Sequence, residues 1–285
     1  MVSKKLHMQT GLPEKSPVKT LADLNLCDDF LFDVATIDLE TCKDMIEIIL
    51  DIKIKSIHWK EGQKVVHNLP GKRGIRMDFY VEDMDGNIFN VEMQKKDEGN
   101  LPKRTRFYQA LLDAPMLDRG ERGFDNMNPT YIIVICCFDP FNRNSYRYTF
   151  QNRSLEYDDL LLGDEATKIF LNTRGTNNTR IPKVLVDFLH YIEHSSETSL
   201  SNDVDPRLLR LHQKICSIKN DQKMEVAYMK TEERERLLRE EGMAIGAQNE
   251  LSKAVSALSA KNYSPKEIAD LLDKDLSVIL NILNN

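Results

Sequence analysis

The sequence predicts an α/β (α+β) protein with an αβββαβ core, followed by a mostly helical C-terminal region. Residues 76–96 hold two short stretches of alternating polar and apolar residues around an Asp-Gly pair, which is typical of two strands joined by a tight turn. An apolar run at residues 131–138 lies between prolines and predicts a buried strand. From Pro182 onward, apolar residues follow helical spacing.

The core begins with a predicted helix at residues 42–51, where apolar residues recur at helical spacing. Thr41 and Asp44 resemble a capping box at its start. The first strand is predicted at residues 52–60, and residues 67–74 form a Gly-containing loop before the next strand. These elements supply the first helix and the first of three strands.

A second helix is predicted after the hairpin, with Asn100 as its cap and Pro102 in its first turn. Two further strands are predicted beyond the apolar run, and the helices that follow include a long charged helix interrupted by Gly242 and Gly246. The predicted ranges are 146–151 and 169–172 for the strands, and 183–193, 206–217 and 275–283 for the shorter helices.

The turn between the two alternating stretches decides which residues face each other. A two-residue Asp85-Gly86 loop would oppose Asp78 to Met93, whereas a three-residue loop ending at Gly86 opposes Asp78 to Glu92. We favour the second register, because a left-handed residue after a type I turn requires glycine at the last loop position. The alternation itself predicts strands buried on one face.

Opposed Asp78 and Glu92 have chemical consequences. Directly opposed strand residues have Cβ atoms about 5 Å apart. Two carboxylates at that separation repel each other and raise one pKa, unless a divalent ion lies between them. A hard, oxygen-seeking ion such as Mg²⁺ fits this pair.

These residues carry a family resemblance. An Asp on one strand, followed after thirteen residues by Glu-x-Gln at Glu92 and Gln94, resembles the PD-(D/E)XK nuclease superfamily. The segment DGNIFNVEMQ is similar in particular to the sequences of the Rpn group of recombination-promoting nucleases and transposases. Gln94 stands where most of the superfamily has Lys, in agreement with this subgroup.

The resemblance implies a restriction-endonuclease-like core with a mixed sheet and a Mg²⁺-dependent DNA endonuclease, with Mn²⁺ as a substitute ion. Asp78, Glu92 and the backbone carbonyl of Met93 are then expected metal ligands. Glu47 on the first helix is a further candidate ligand, weighed against a solvated glutamate. Gln94 is expected to hold the attacking water, so the expected catalytic residues are Asp78, Glu92 and Gln94.

Positive charge is concentrated directly after the motif acids. Lys95, Lys96 and Arg104 are candidate DNA-binding residues, together with Tyr108 one helical turn beyond Arg104. A charge run of this kind is also typical of a solvated helix face. Both interpretations stay open from the sequence.

Composition bounds the class of protein. The 285 residues are 41% hydrophobic and 29% charged, enough to bury a sizeable core, and the formal net charge of -6 disfavours a protein that coats nucleic acid. No apolar run is long enough to span a bilayer, so we expect a cytoplasmic protein that does not associate with a membrane. Neither a disulfide framework nor a zinc site is suggested by the five cysteines, Cys27, Cys42, Cys136, Cys137 and Cys216.

The expected organisation is a disordered segment at 1–20, a nuclease-like domain with a β extension at 21–180, a helical region at 181–250 and a helical tail at 251–285. The tail resembles a helix-turn-helix. Its second helix has no Lys, Arg or Gln to contact DNA, which favours a helical cap or a homodimer contact over a DNA reader. DNA is the expected partner; the alternative is a catalytically weak nuclease-fold module for protein or DNA association.

Overall fold

A computed structural model describes residues 19–62, 65–66, 75–76, 78–114, 116, 123–177, 180–195, 200 and 203–284. The strands are β1 (Ile57–Gly62), β2 (Val65–Val66), β3 (Ile75–Arg76), β4 (Phe79–Asp83), β5 (Ile88–Gln94), β6 (Thr130–Cys136), β7 (Arg147–Phe150) and β8 (Ala166–Asn172). The helices are α1 (Asp29–Ala35), α2 (Leu39–Leu50), α3 (Leu101–Asp113), α4 (Lys183–Glu193), α5 (Pro206–Lys219), α6 (Gln222–Ser259), α7 (Pro265–Leu272) and α8 (Leu276–Asn284).

A mixed sheet forms the centre of the fold, with strand order β1-β4-β5-β6-β8-β7. β1, β4 and β5 pair antiparallel, whereas β6 runs parallel to both β5 and β8. The parallel step from β5 to β6 is connected through α3, as parallel neighbours require a crossover. This arrangement confirms the predicted αβββαβ core and its mixed sheet, and the short pair β2-β3 lies outside it.

The first core helix begins earlier than the sequence predicts. Its N-cap is Asp38, whose side chain accepts a hydrogen bond from the Thr41 N–H at 3.0 Å. The predicted capping box at Thr41 and Asp44 is therefore wrong, because an acid three residues earlier already caps the helix. The first strand also starts later than predicted, at Ile57.

Both faces of the central strands are buried, so the prediction of half-buried strands is wrong. One face holds Phe79, whose ring centroid lies 6.1 Å from that of Phe32 on α1. The other face includes Tyr80 and packs in one apolar cluster with Tyr108 and Leu112 of α3. Alternation distinguishes the two faces of a strand, but it does not show that a helix covers the polar one.

The long charged helix is continuous. α6 runs from Gln222 to Ser259 through Gly242 and Gly246, so the predicted interruption is wrong. Helical glycine costs only about 1 kcal/mol relative to alanine, which a long helix tolerates. None of the helices in the described ranges is both long and apolar enough to cross a membrane.

The chain divides into two compact units, one before Glu225 and the other Glu225–Asn285. In the second unit, Val255 of α6 packs with Ile268 of α7 and Ile279 of α8. The capping box predicted at the start of α7 is confirmed, since Ser264 and Glu267 bond each other's backbone N–H groups. The domain boundaries at 180 and 250 stay predictions, as does the disordered segment at 1–20.

Two sequence predictions lie wholly or largely outside the described residues. These are the segment 1–20, described from residue 19 onward, and the loop at residues 67–74.

Candidate metal-dependent nuclease site

The β4-β5 hairpin sets two acids opposite each other. The strands pair antiparallel with Phe79 opposite Val91, and continuing this register by one pair places Asp78 opposite Glu92. Gly86 ends the loop with a φ of 83°, the left-handed backbone that this position requires. The predicted register is confirmed, and the two acids belong to one face of the hairpin.

Asp78 lies just before β4, at the end of the ladder. Its Oδ2 accepts a hydrogen bond of 2.7 Å from the Met93 N–H. At this end of the ladder, the Asp78 carboxylate therefore replaces a backbone carbonyl as the partner of Met93. The N–H and C=O of a strand residue point toward the same neighbouring strand. The Met93 carbonyl therefore faces the end of β4, where Asp78 lies.

Glu92 is buried, with only 4% of its surface exposed. Burial, and secondarily the charge of Asp78, raise the pKa of the Glu92 carboxyl to about 8, although Asn90, Arg104 and the backbone N–H of Asp78 oppose the shift. The sequence predicts a raised pKa from repulsion alone, whereas burial is the larger cause. In the ion-free protein, Glu92 therefore keeps its proton at neutral pH.

Gln94 is held at both ends of its amide. Its Oε1 accepts a hydrogen bond from Arg104 Nη2, and its Nε2 donates to the Lys96 backbone carbonyl at 2.7 Å. The Arg104 guanidinium also lies 5.7 Å from the ring centroid of Tyr108, a buried residue. The acceptor role of Oε1 fixes the orientation of the amide, because a guanidinium can only donate.

The two lysines after the motif differ in their surroundings. Lys95 Nζ forms an ion pair with Asp28 Oδ1 at 2.5 Å. Partial burial lowers the pKa of the Lys95 ammonium, but the hydrogen bond and charge of Asp28 outweigh it and raise that pKa. Lys96 is exposed.

Glu47 has a hydrogen-bond partner and ion-pair partners of its own. It is buried, and its Oε1 accepts a hydrogen bond from the Ile54 N–H at 2.9 Å. Its Oε2 lies 3.6 Å from Lys53 Nζ and 3.9 Å from Arg207 Nη1. The structure therefore gives Glu47 a buried place between α2 and α5, so the solvated glutamate is wrong, while its role as a metal ligand stays a prediction.

The oxygen atoms around Asp78 and Glu92 suit a hard divalent ion. Within the described ranges, no group of three or more His, Cys, Asp or Glu side chains is arranged to hold a metal. Mg²⁺ needs only one or two protein carboxylates, because it keeps several of its waters. Glu92 Oε1 is buried without a hydrogen-bond partner, so the two carboxylates and the Met93 carbonyl fit such an ion.

One polar residue of this face is absent from the sequence-predicted site. Asn90 is fully buried on β5, and neither atom of its amide has a hydrogen-bond partner among the described residues. Its position two residues before Glu92 places it on the face of the motif residues. That spacing was the available signal, but burial and missing partners cannot be recognised from sequence.

Comparison with protein families decides where this chain belongs. A family profile described as PD-(D/E)XK nuclease family transposase matches residues 40–254. The chain belongs to this family. Members of the PD-(D/E)XK superfamily generally use divalent metal ions, and the match assigns the chain a nuclease-related function connected with mobile elements. Searches of curated proteins and of solved structures found no match.

Proposed function

We propose that this PD-(D/E)XK family protein is a Mg²⁺-dependent DNA endonuclease, with Mn²⁺ as a substitute ion, that acts in recombination or in mobile elements. The observation that carries the proposal is the register opposing Asp78 to a buried Glu92. A carboxyl kept uncharged by burial beside a second acid is costly for structure alone. The family match to residues 40–254 supports a nuclease with DNA as its substrate.

Each residue has a distinct role in the proposed reaction. Asp78, Glu92 and the Met93 carbonyl hold the ion. When bound, a divalent ion lowers the pKa of a coordinated water and offsets negative charge on the phosphodiester. Gln94 orients the attacking water. Its Nε2 has a second hydrogen besides the one donated to the Lys96 carbonyl, and its Oε1 has a second lone pair besides the one that accepts from Arg104.

Phosphate contacts are assigned to the cations around this face. Arg104 keeps a half-buried guanidinium next to Gln94, and Lys96 is exposed beside it. Tyr108 is buried, so its proposed contribution is to support Arg104 rather than to touch DNA. Lys95 contributes less, since Asp28 already neutralises it.

One observation favours the alternative of a nuclease-fold module for protein or DNA association. Gln94 replaces the lysine usual in the superfamily, and its amide is already engaged by two protein groups. Such a residue supplies no fixed positive charge to the transition state. In this alternative the protein binds DNA without cutting it.

A plasmid assay separates the two functions. We expect the wild-type protein to nick supercoiled DNA with Mg²⁺ and not with a chelator. Asp78→Asn and Glu92→Gln should each lower the nicking rate at least about a hundredfold, because each removes an ion-binding charge. Asp85→Asn, in the exposed turn of the same hairpin, is the matched control and should cut normally. DNA binding without cutting, under both Mg²⁺ and Mn²⁺, would support the association module instead.

A further inference from the structure

Asn90 is a polar residue in the middle of a central strand. It is 0% exposed and lies between Tyr80 on β4 and Ile132 on β6. Neither Nδ2 nor Oδ1 of its amide has a hydrogen-bond partner among the described residues. No hydrogen bond of ordinary length therefore repays its burial, although its side chain lies close enough to Glu92 to lower the pKa of that carboxyl.

The neighbourhood of Asn90 is largely apolar. Tyr80, Ile88 and Ile132 pack with α3 side chains in one buried cluster on this face. A buried amide without partners destabilises a fold, whereas an aliphatic side chain of similar size would not. Asn90 is thus poorly explained by packing, and residues of this kind are typical of functional sites.

Two other buried polar atoms without partners belong to the same site. They are Oε1 of Glu92 and Nε of Arg104. An ionised carboxylate oxygen accepts, the guanidinium Nε–H donates, and the Asn90 amide does both. The Asn90 N–H can therefore donate to the Glu92 carboxylate, which lies close enough for the amide to lower its pKa.

Resting on the nuclease function proposed above, we infer that Asn90 is a positioning residue of the divalent-ion site. Its amide donates to the Glu92 carboxylate and thereby fixes the orientation of that carboxylate. Residues that hydrogen-bond to a metal ligand and so orient it typically lower metal affinity about 10- to 100-fold when they are mutated. Asn90 itself touches neither the ion nor the DNA.

A pair of nearly isosteric substitutions tests this role. Asn90→Val removes every hydrogen bond, whereas Asn90→Thr keeps one donor and one acceptor in the same shape. In calorimetric titrations of the full chain with Mg²⁺ and Mn²⁺, we expect Asn90→Val to weaken binding about 10- to 100-fold. Asn90→Thr should stay within a few-fold of wild type, and the ion-free melting temperature of Asn90→Val should not fall.

The matched control is Thr130→Val, on the neighbouring strand at the far end from Gln94. Thr130 is buried, and its Oγ1 donates to the Asn128 carbonyl at 3.1 Å. This substitution should lower the melting temperature and leave ion affinity unchanged, the reverse of the pattern expected at position 90. Asn90→Leu replaces Asn90→Val if the latter does not fold.

The possible outcomes are distinguishable. Ion binding by Asn90→Val as tight as that of wild type would overturn the role of Asn90 and leave the proposed nuclease intact. Equal weakening in Asn90→Val and Asn90→Thr would also overturn it, because packing rather than hydrogen bonding would then be responsible. A wild-type protein that binds neither Mg²⁺ nor Mn²⁺ would overturn both proposals together.

Discussion

Glu92 carries its carboxyl in a buried position beside a second acid, and this makes folding depend on pH. The unfolded residue loses its proton near pH 4.5, whereas the folded one keeps it to about pH 8. Between these values folding takes up a proton, so the free energy of unfolding of ion-free protein falls as pH rises. The slope is at most about 1.4 kcal/mol per pH unit.

Glu92→Gln removes this dependence because glutamine does not titrate. Urea unfolding with a chelator, at intervals from pH 5 to pH 9, should show the wild-type stability falling relative to Glu92→Gln up to about pH 8 and then running parallel to it. Parallel profiles over the whole range would mean that Glu92 ionises normally. Saturating Mg²⁺ should flatten the wild-type profile.

The hydrogen bond between Gln94 and Arg104 can also be tested by substitution. Gln94→Lys sets a cation beside the Arg104 guanidinium and removes its acceptor, so we expect the nicking rate to fall about tenfold. Arg104→Gln should lower it by a similar factor. The double exchange Gln94→Lys/Arg104→Gln keeps one amide and one cation, and its rate should exceed the product of the two single effects. Multiplicative losses would show that the two positions act independently.

The β4-β5 turn determines which residues form the site. Gly86 has a φ of 83°, and a Cβ there would lie 3.1 Å from Asn128 Nδ2. Gly86→Ala should therefore destabilise the protein by about 1–2 kcal/mol in chemical unfolding. Gly242→Ala, in open space on α6, should instead stabilise its helix by about 0.5–1 kcal/mol. Equal effects of the two substitutions would contradict the left-handed turn.

Sequence patterns predicted the local features of these elements well. Glycine at the end of the loop fixed the register, and proline with a capping box located α7, because both signals depend on neighbouring residues. Coverage of the polar strand face by α3 was missed, since it depends on contacts distant in sequence. For the same reason, neither the burial of Glu92 nor the unpartnered amide of Asn90 was predictable.

The sequence favours a homodimer through the C-terminal helices, and this stays a prediction. α8 contains no Lys or Arg, and it exposes Leu276 and Leu280 while Ile279 is buried in the core of its unit. Leu276→Ser/Leu280→Ser should lower the mass measured by light scattering to that of a monomer. DNA affinity should stay unchanged, because no phosphate-binding charge is lost.

A loss of DNA affinity at unchanged mass would instead identify α8 as a DNA-contacting element. Asn284→Ser on the same helix is the control for nonspecific effects of surface substitution. The predicted core fold was confirmed and the family match covers residues 40–254, whereas the burial of Glu47 was not predicted, because its partner Arg207 lies on a helix distant in sequence.

Proton release tests most directly whether Asp78 and Glu92 together bind a divalent ion. Because the Glu92 pKa is about 8, its carboxyl is mostly protonated at pH 7 and must lose that proton when the ion binds. Calorimetric titration with Mn²⁺ at pH 7, in buffers of different ionisation enthalpy, should report close to one proton released per ion. Ion binding without proton release, or release unchanged in Glu92→Gln, would contradict the account.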